Sequence, residues 1–261
     1  MQDFLLLTTN PVMQKVLLGL LLIVVMLIVV WLCFFREAQV NPVTGKRQYI
    51  VLTVQEEIRI GLQCAPQLAA KFGGLYKEKP VQTRVKNIGA KLVGTPGADK
   101  SGYQFDFHVL ADSQIVNAFA LPGGQIFITQ GFLEKLKTED EIASILSHEI
   151  AHVLGRHATE RLTGENLINA LSGSKQGKSL QTETENYVSK FLKLNYKESD
   201  EIECDNLAVK YLLEVGYNPD ALLRLISVLI DSLKENHTFG FAQTHTVTES
   251  REELIKSAIQ K

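Results

Sequence analysis

From Val16 to Phe35 the chain reads VLLGLLLIVVMLIVVWLCFF, twenty residues without a charge. At about 1.5 Å of rise per residue, a helix of that length crosses a hydrocarbon core of about 30 Å. The run therefore predicts one transmembrane helix. It divides the chain into a flank (1–15), an anchor (16–35), a connector (36–49) and a folded domain (50–261). A cleaved signal peptide is the rival reading, but its apolar stretch is usually shorter and ends at small residues, whereas the residues after Trp31 are bulky. Val30, Trp31 and Leu32 before Cys33 do not resemble a lipid-attachment box either. The flanking charges set Lys15 and the amino terminus against Asp3 on one side, and place Arg36, Lys46 and Arg47 on the other. Read literally, they lean towards a cytoplasmic domain.

The remainder is long enough for one globular domain with a full core, since 45% of the chain is apolar and 21% charged. A formal net charge of -2, with basic residues scattered, gives no electrostatic ground for a nucleic-acid partner. Cys33, Cys64 and Cys204 are widely spaced and odd in number, with no C-x-x-C, which argues against both a disulfide framework and a cysteine-ligated zinc site. A single Cys64–Cys204 disulfide stays open. Oligomeric state has no sequence signature here.

Apolar residues at helical spacing predict helices over 52–72 and 81–93. Alternation over 103–109 predicts a strand, and 118–129 reads as two short strands joined by the hairpin-like LPGGQ. Helices follow over 140–156, 187–215, 219–234 and after Thr248. Thr138 and Glu141 form a capping box before the first of these. Gly216, Asn218 and Pro219 supply a stop, an N-cap and a first-turn proline. The polar stretch 172–187 reads as a loop. Helices, one small sheet, then helices again make an α+β fold, mainly helical.

The chemistry sits in His148-Glu149-Ile150-Ala151-His152. Residues four apart on a helix share a face, so both imidazoles can reach one metal ion while Glu149 stands beside it. Zinc needs rigidly spaced nitrogen ligands and an open position for water, whose proton Glu149 can take and pass to a leaving amine. Two histidines on an exposed helix face are the bland alternative. It fits poorly, because Ile142, Ile145, Leu146, Ile150, Val153 and Leu154 make the helix otherwise apolar and unpaired polar groups there would be costly.

A third histidine in the metzincin spacing is missing, since that position is Ala158 and His157 falls one residue early. A glutamate from a later helix is the other arrangement, and Glu201 in ESDEIECD is the candidate. Asp205 shares its face and could orient a ligating histidine through the second ring N–H. An acidic first turn favoured by the helix dipole is the competing explanation. His108 and His237 lie in no motif, and His157 reads as structural.

Taken together, VTGKRQ and EEIRIG, VNAFALPGGQIFITQGFL, EIASILSHEIAHVLGRHA, ESDEIECD, and the late His245 and Arg251 resemble one known family. It is the membrane zinc metallopeptidase family that includes HtpX, the Oma-type protease, bacterial periplasmic quality-control peptidases and the CAAX prenyl protease. The resemblance implies a zincin-like domain holding one zinc ion on His148, His152 and Glu201, with Asp205 and Arg251 supporting the site. It implies that His245 assists the transition state and that an extended substrate adds to an edge strand at Asn117, Ala118, Phe119 and Ala120. Cys204 departs from the alanine usual before the aspartate, and Thr246 from the usual proline.

The expected function is zinc-dependent endoproteolysis of unfolded or misfolded proteins at a membrane, the N-terminal helix contacting lipid. Single-span relatives imply an inner-membrane protein with its catalytic domain outside the cytoplasm. Prenyl-protein processing is disfavoured because it is associated with a multi-span barrel. Two alternatives are a catalytically silent binding or chaperone module, and latent activity covered by the 172–187 segment.

Overall fold

The computed structural model describes residues 11–34, 39–50, 52–162, 180–234, 240–245 and 247–260. The chain divides into two compact units, Met1–Gln39 with Arg47–Tyr49, and Val40–Lys46 with Ile50–Lys261. In the first, α1 (Pro11–Phe34) carries the apolar run. Its Pro11–Ile28 window has a mean hydropathy of 2.4 and none of it is buried, so by length and composition α1 can cross a membrane.

In the second unit, α2 (Val54–Lys71) starts at a capping box between Thr53 and Glu56 and buries Ile58, Ile60, Cys64 and Leu68. Helix α3 (Lys79–Val93) buries Val85, Ile88 and Leu92, and the short α4 (Pro96–Asp99) follows. Three strands come next: β1 (Asp106–Leu110), β2 (Ala118–Leu121) and β3 (Gln125–Thr129). Their order is β1-β3-β2, with β1 parallel to β3 and β2 antiparallel to β3, which leaves β2 at an edge. The β2–β3 turn is tight because Gly123 and Gly124 adopt left-handed φ of 86° and 109°. A Cβ on Gly123 would lie 2.3 Å from Ile58 Cα, so this glycine lets the turn dock on α2.

The expected strand over 103–109 begins later, at Asp106. Tyr103 is drawn away instead, its hydroxyl donating to the buried Glu57 at 2.5 Å.

After α5 (Gln130–Lys135) comes α6 (Glu139–Leu154), opened by the expected Thr138–Glu141 capping box. From Glu141 to Leu154 every residue of α6 is buried, the pattern of a helix enclosed on all sides. Helices α3, α9 (Glu198–Val215) and α10 (Ala221–Lys234) and strand β2 surround it. The short helices α7 (His157–Leu162) and α11 (Phe241–Thr244) and the terminal α12 (Glu249–Ile259) complete the elements used below.

Two expectations need correction. The segment 187–215 is not one helix. It comprises the end of α8 (Leu180–Phe191), a break at 192–197, and α9. The new start is set by Asp200, whose carboxylate accepts the Lys197 N–H at 3.3 Å, while Tyr196 N–H bonds the Thr244 carbonyl at 3.1 Å. Nor is 172–187 a loop throughout, because residues 180–187 belong to α8; the rest of that stretch, like His237 and Thr246, lies outside the described residues. Cys64 and Cys204 are both buried and free, so the disulfide left open by the sequence is not formed.

Candidate active site

His148 and His152, one turn apart on α6, bring their Nε2 atoms to 3.1 Å. Glu201 comes from the first turn of α9, with Oε2 3.5 Å from His148 Nε2 and Oε1 3.5 Å from His152 Nε2. Ligand atoms of these three residues and of His245 all lie within 4.8 Å of one another, and all four residues are buried. Two nitrogens each about 2.0–2.1 Å from one tetrahedral ion would stand about 3.3 Å apart, close to the observed pair.

The polar atoms here also lack partners. Glu149 Oε1, Glu201 Oε1 and His245 Nε2 are buried without a hydrogen bond. Such orphans are costly unless a ligand or ion satisfies them, so the donor set of two imidazoles and a carboxylate fits a divalent metal.

Asp205, one turn beyond Glu201, accepts from His148 Nδ1 at 3.0 Å. Arg251, from α12 and almost fully buried, donates to both Asp205 oxygens at 2.8 and 2.9 Å and pairs with Glu201 at 2.8 Å. Glu149 faces His245, with Oε1 3.6 Å from Nε2. His245 stacks on Phe241 and sets its Nδ1 2.9 Å from the Thr244 hydroxyl and 3.2 Å from the Phe241 carbonyl. A cleft lined by Ala118, Phe119, Ala120, Glu149, Tyr196 and His245 reaches these groups. Asn117 is not among its lining residues. Its Oδ1 accepts the Ala118 N–H at 2.8 Å, and its own N–H bonds Thr129 Oγ1 at 3.1 Å.

Burial dominates the electrostatics. It raises the Glu149 carboxyl to about 8, against the opposing pull of His148. Burial alone would lower His148, but the facing carboxylates of Asp205 and Glu201 outweigh it and raise that imidazole to about 9. His152 and His245 are both held well below the ordinary imidazole range, by burial first and then by His148. Burial works to raise Asp205, yet His148 and Arg251 prevail and hold it below the usual carboxylate value.

Three features escaped the sequence reading. Tyr196 covers His152, their ring centroids 4.1 Å apart, from the break between α8 and α9. His157 bonds across to the His152 ring and to Glu203. Asp200 joins Lys46 and Arg161 at 3.2 and 2.8 Å. Tyr196 lies in no motif; His157 and Asp200 fall inside motif segments, but the partner of each comes from a separate element and local spacing does not reveal it. His108, expected to be ordinary, lies beside Gln125 and stacks on Phe127.

The chain is also similar to known proteins. The model of peptidase family M48 matches residues 79–259. The chain is 23% identical over 223 residues to the mitochondrial metalloendopeptidase OMA1 of Schizosaccharomyces pombe, covering 84% of this chain and 65% of that protein. It is 26% identical over 251 residues to its Saccharomyces cerevisiae counterpart, covering 88% and 71% respectively. With the beta-barrel assembly-enhancing protease of Escherichia coli it shares 22% identity over 232 residues, 84% of this chain but only 47% of the relative.

Proposed function

The chain belongs to peptidase family M48, and on that premise we propose that it is a membrane-anchored zinc endopeptidase acting on unfolded or misfolded proteins. His148, His152 and Glu201 would hold one zinc ion, the imidazoles by nitrogen and the glutamate by its carboxylate. Zinc, when bound, supplies a Lewis acid that lowers the pKa of water and polarises the scissile carbonyl. Glu149 accepts the proton of the attacking water and returns it to the leaving amine, a task suited to a carboxyl whose buried setting raises its proton affinity. His245, whose Nε2 is turned towards Glu149, is the group placed to hydrogen-bond the developing oxyanion. Asp205 and Arg251 fix His148 and Glu201 in place.

Substrate lies along β2. Asn117 C=O accepts the Thr129 N–H at 2.9 Å, so the alternation of an antiparallel ladder turns the Ala120 N–H and C=O and the Ala118 C=O away from β3. An extended peptide adds to these groups through its main chain, which makes recognition tolerant of sequence. Helix α1 anchors the protein in lipid, with the catalytic unit on the extracytoplasmic face of an inner membrane. Digestion by an added protease in sealed vesicles of either orientation tests that placement.

The observation that carries this reading is the meeting of three buried ligand atoms with the partnerless Glu149 Oε1. The silent binding module has no observation in its favour, since Glu149 is intact. The test is casein cleavage by the full chain in detergent, with bound zinc quantified, for the wild type and Glu149→Gln. The expected result is zinc-dependent cleavage that is lost in a variant still holding zinc. A folded wild type that binds no zinc would overturn the proposal.

A further inference from the structure

The proposed zinc site has two histidine ligands, and Asp205 accounts for the orientation of only one, His148. The surroundings of His152 are different. Helix α6 ends at Leu154, Gly155 N–H closes onto the Ala151 carbonyl at 2.7 Å, and Arg156 then takes a left-handed φ of 57°. That conformation costs a non-glycine residue about 1–2 kcal/mol. It is held by the Arg156 guanidinium, which donates to the Leu52 carbonyl at 2.6 Å and to Glu57 at 3.2 Å. The turn swings the His157 ring back beneath α6. Gly155 makes room for it, because a Cβ there would lie 2.5 Å from His157 Cε1.

In this position His157 is fully engaged. Its Nε2 is 2.9 Å from Glu203 Oε2 and its Nδ1 is 3.1 Å from His152 Nδ1. Lys46 Nζ lies 3.6 Å from the same Glu203 oxygen. A carboxylate is acceptor-only, so the His157 proton resides on Nε2 and its Nδ1 accepts. His152 Nδ1 must then be the donor. A neutral His152 with its proton on Nδ1 leaves the lone pair on Nε2, the atom that faces His148 and Glu201.

Resting on the zinc reading above, we propose that Glu203 and His157 form a relay that fixes the tautomer and ring angle of His152, the counterpart of Asp205 for His148. They are positioning residues and touch neither metal nor substrate. Cys204 Sγ, 3.5 Å from His157 Nδ1, is the one other sulfur or nitrogen ligand atom in this cluster. The relay assigns it no part, because the proton from His152 already occupies that nitrogen.

Two measurements on the full chain in detergent test the relay. The first is a long-range ¹⁵N–¹H spectrum of the zinc-loaded wild type with labelled histidine, which reports the tautomers directly. The expected pattern is a proton on Nδ1 of His152 and on Nε2 of His157; a proton on His157 Nδ1 overturns the proposal. The second is a zinc competition titration against a chromophoric chelator, with far-ultraviolet circular dichroism to verify folding. His157→Phe keeps a ring but loses the acceptor, and is expected to weaken zinc binding about 10- to 100-fold. Glu203→Ala should fall in the same direction and Glu203→Gln, which still accepts from Nε2–H, should stay close to wild type. Folded His157→Phe with wild-type zinc affinity sinks the relay. So does a second zinc per chain that disappears in Cys204→Ala, because a metal would then stand where the relay needs a proton. A folded wild type without zinc fails the underlying metal reading, which the two relay outcomes leave standing.

Discussion

Replacing Arg251 by methionine keeps much of the side chain's volume and removes its charge. Arg251 is 1% exposed, donates to both oxygens of Asp205 and pairs with Glu201. Those carboxylates are themselves 3% and 0% exposed, so water cannot replace the guanidinium. Breaking a buried pair by deleting one partner typically costs about 3–5 kcal/mol, because the surviving charge is stranded. For a domain of 150–250 residues each kcal/mol moves the melting temperature by about 2–4 °C, which puts the expected fall at about 6–20 °C. Differential scanning fluorimetry on the full chain in detergent reads it. Lys256→Met is the control on the same helix, because Lys256 pairs with Glu252 at the surface, where both side chains are about half exposed. An exposed pair of this kind contributes little, so the control should melt with the wild type. Added zinc should recover part of the Arg251→Met loss, since a cation on Glu201 neutralises that carboxylate but does not replace the bonds to Asp205. A fall no larger than the control's would refute the claim that Arg251 holds the two carboxylates together.

Gly123→Ala is expected to prevent normal folding, its Cβ colliding with the Ile58 backbone, whereas Gly45→Ala, at φ 71° with open space around it, should cost only the left-handed strain of about 1–2 kcal/mol; equal melting temperatures for the two would contradict the close approach of turn and helix. Ala120→Pro removes an N–H that points out from the edge of β2, so cleavage of casein should fall at least about tenfold, the equivalent of one lost hydrogen bond of about 1.4 kcal/mol, with little change in melting temperature. Unchanged kcat/KM would remove β2 from substrate binding. Burial tends to raise Glu141, but hydrogen bonds from the Lys137 and Thr138 amides and from Arg224 prevail and hold it below the usual glutamate value. Its folded pKa is therefore the lower one, so its contribution is present above the unfolded value and is lost as pH falls through the folded value. Melting temperature measured from pH 6 down to pH 3 should converge for wild type and Glu141→Gln; a constant difference across that range would exclude the linkage.

The local signals explain what could be read without a structure. A continuous apolar run needs no partner to declare a helix, and α1 follows it. The i, i+4 spacing of His148 and His152 is set by helix geometry, so their meeting was implicit in five residues. Thr138 and Glu141 marked where α6 begins because capping is a contact between residues three apart. Glu201 and Asp205 could be named from the acidic start of a later helix, and His245 and Arg251 from the resemblance, but spacing alone did not bring the four to one point.

What only the tertiary structure decided depends on contacts between distant segments, which leave little trace in any single window. The strand order β1-β3-β2, and with it the open edge of β2, follows from which strand takes the central place. The break after α8 sets Tyr196 over His152 and against the Thr244 carbonyl, contacts with distant segments in a stretch that reads as continuous. The ring of His157 turns back to His152 because Arg156 is held in a left-handed conformation by Glu57 and Leu52, about a hundred residues earlier. Sequence determined the meeting of the His148 and His152 rings through local helix geometry; the setting that orients and encloses that pair was decided by long-range packing.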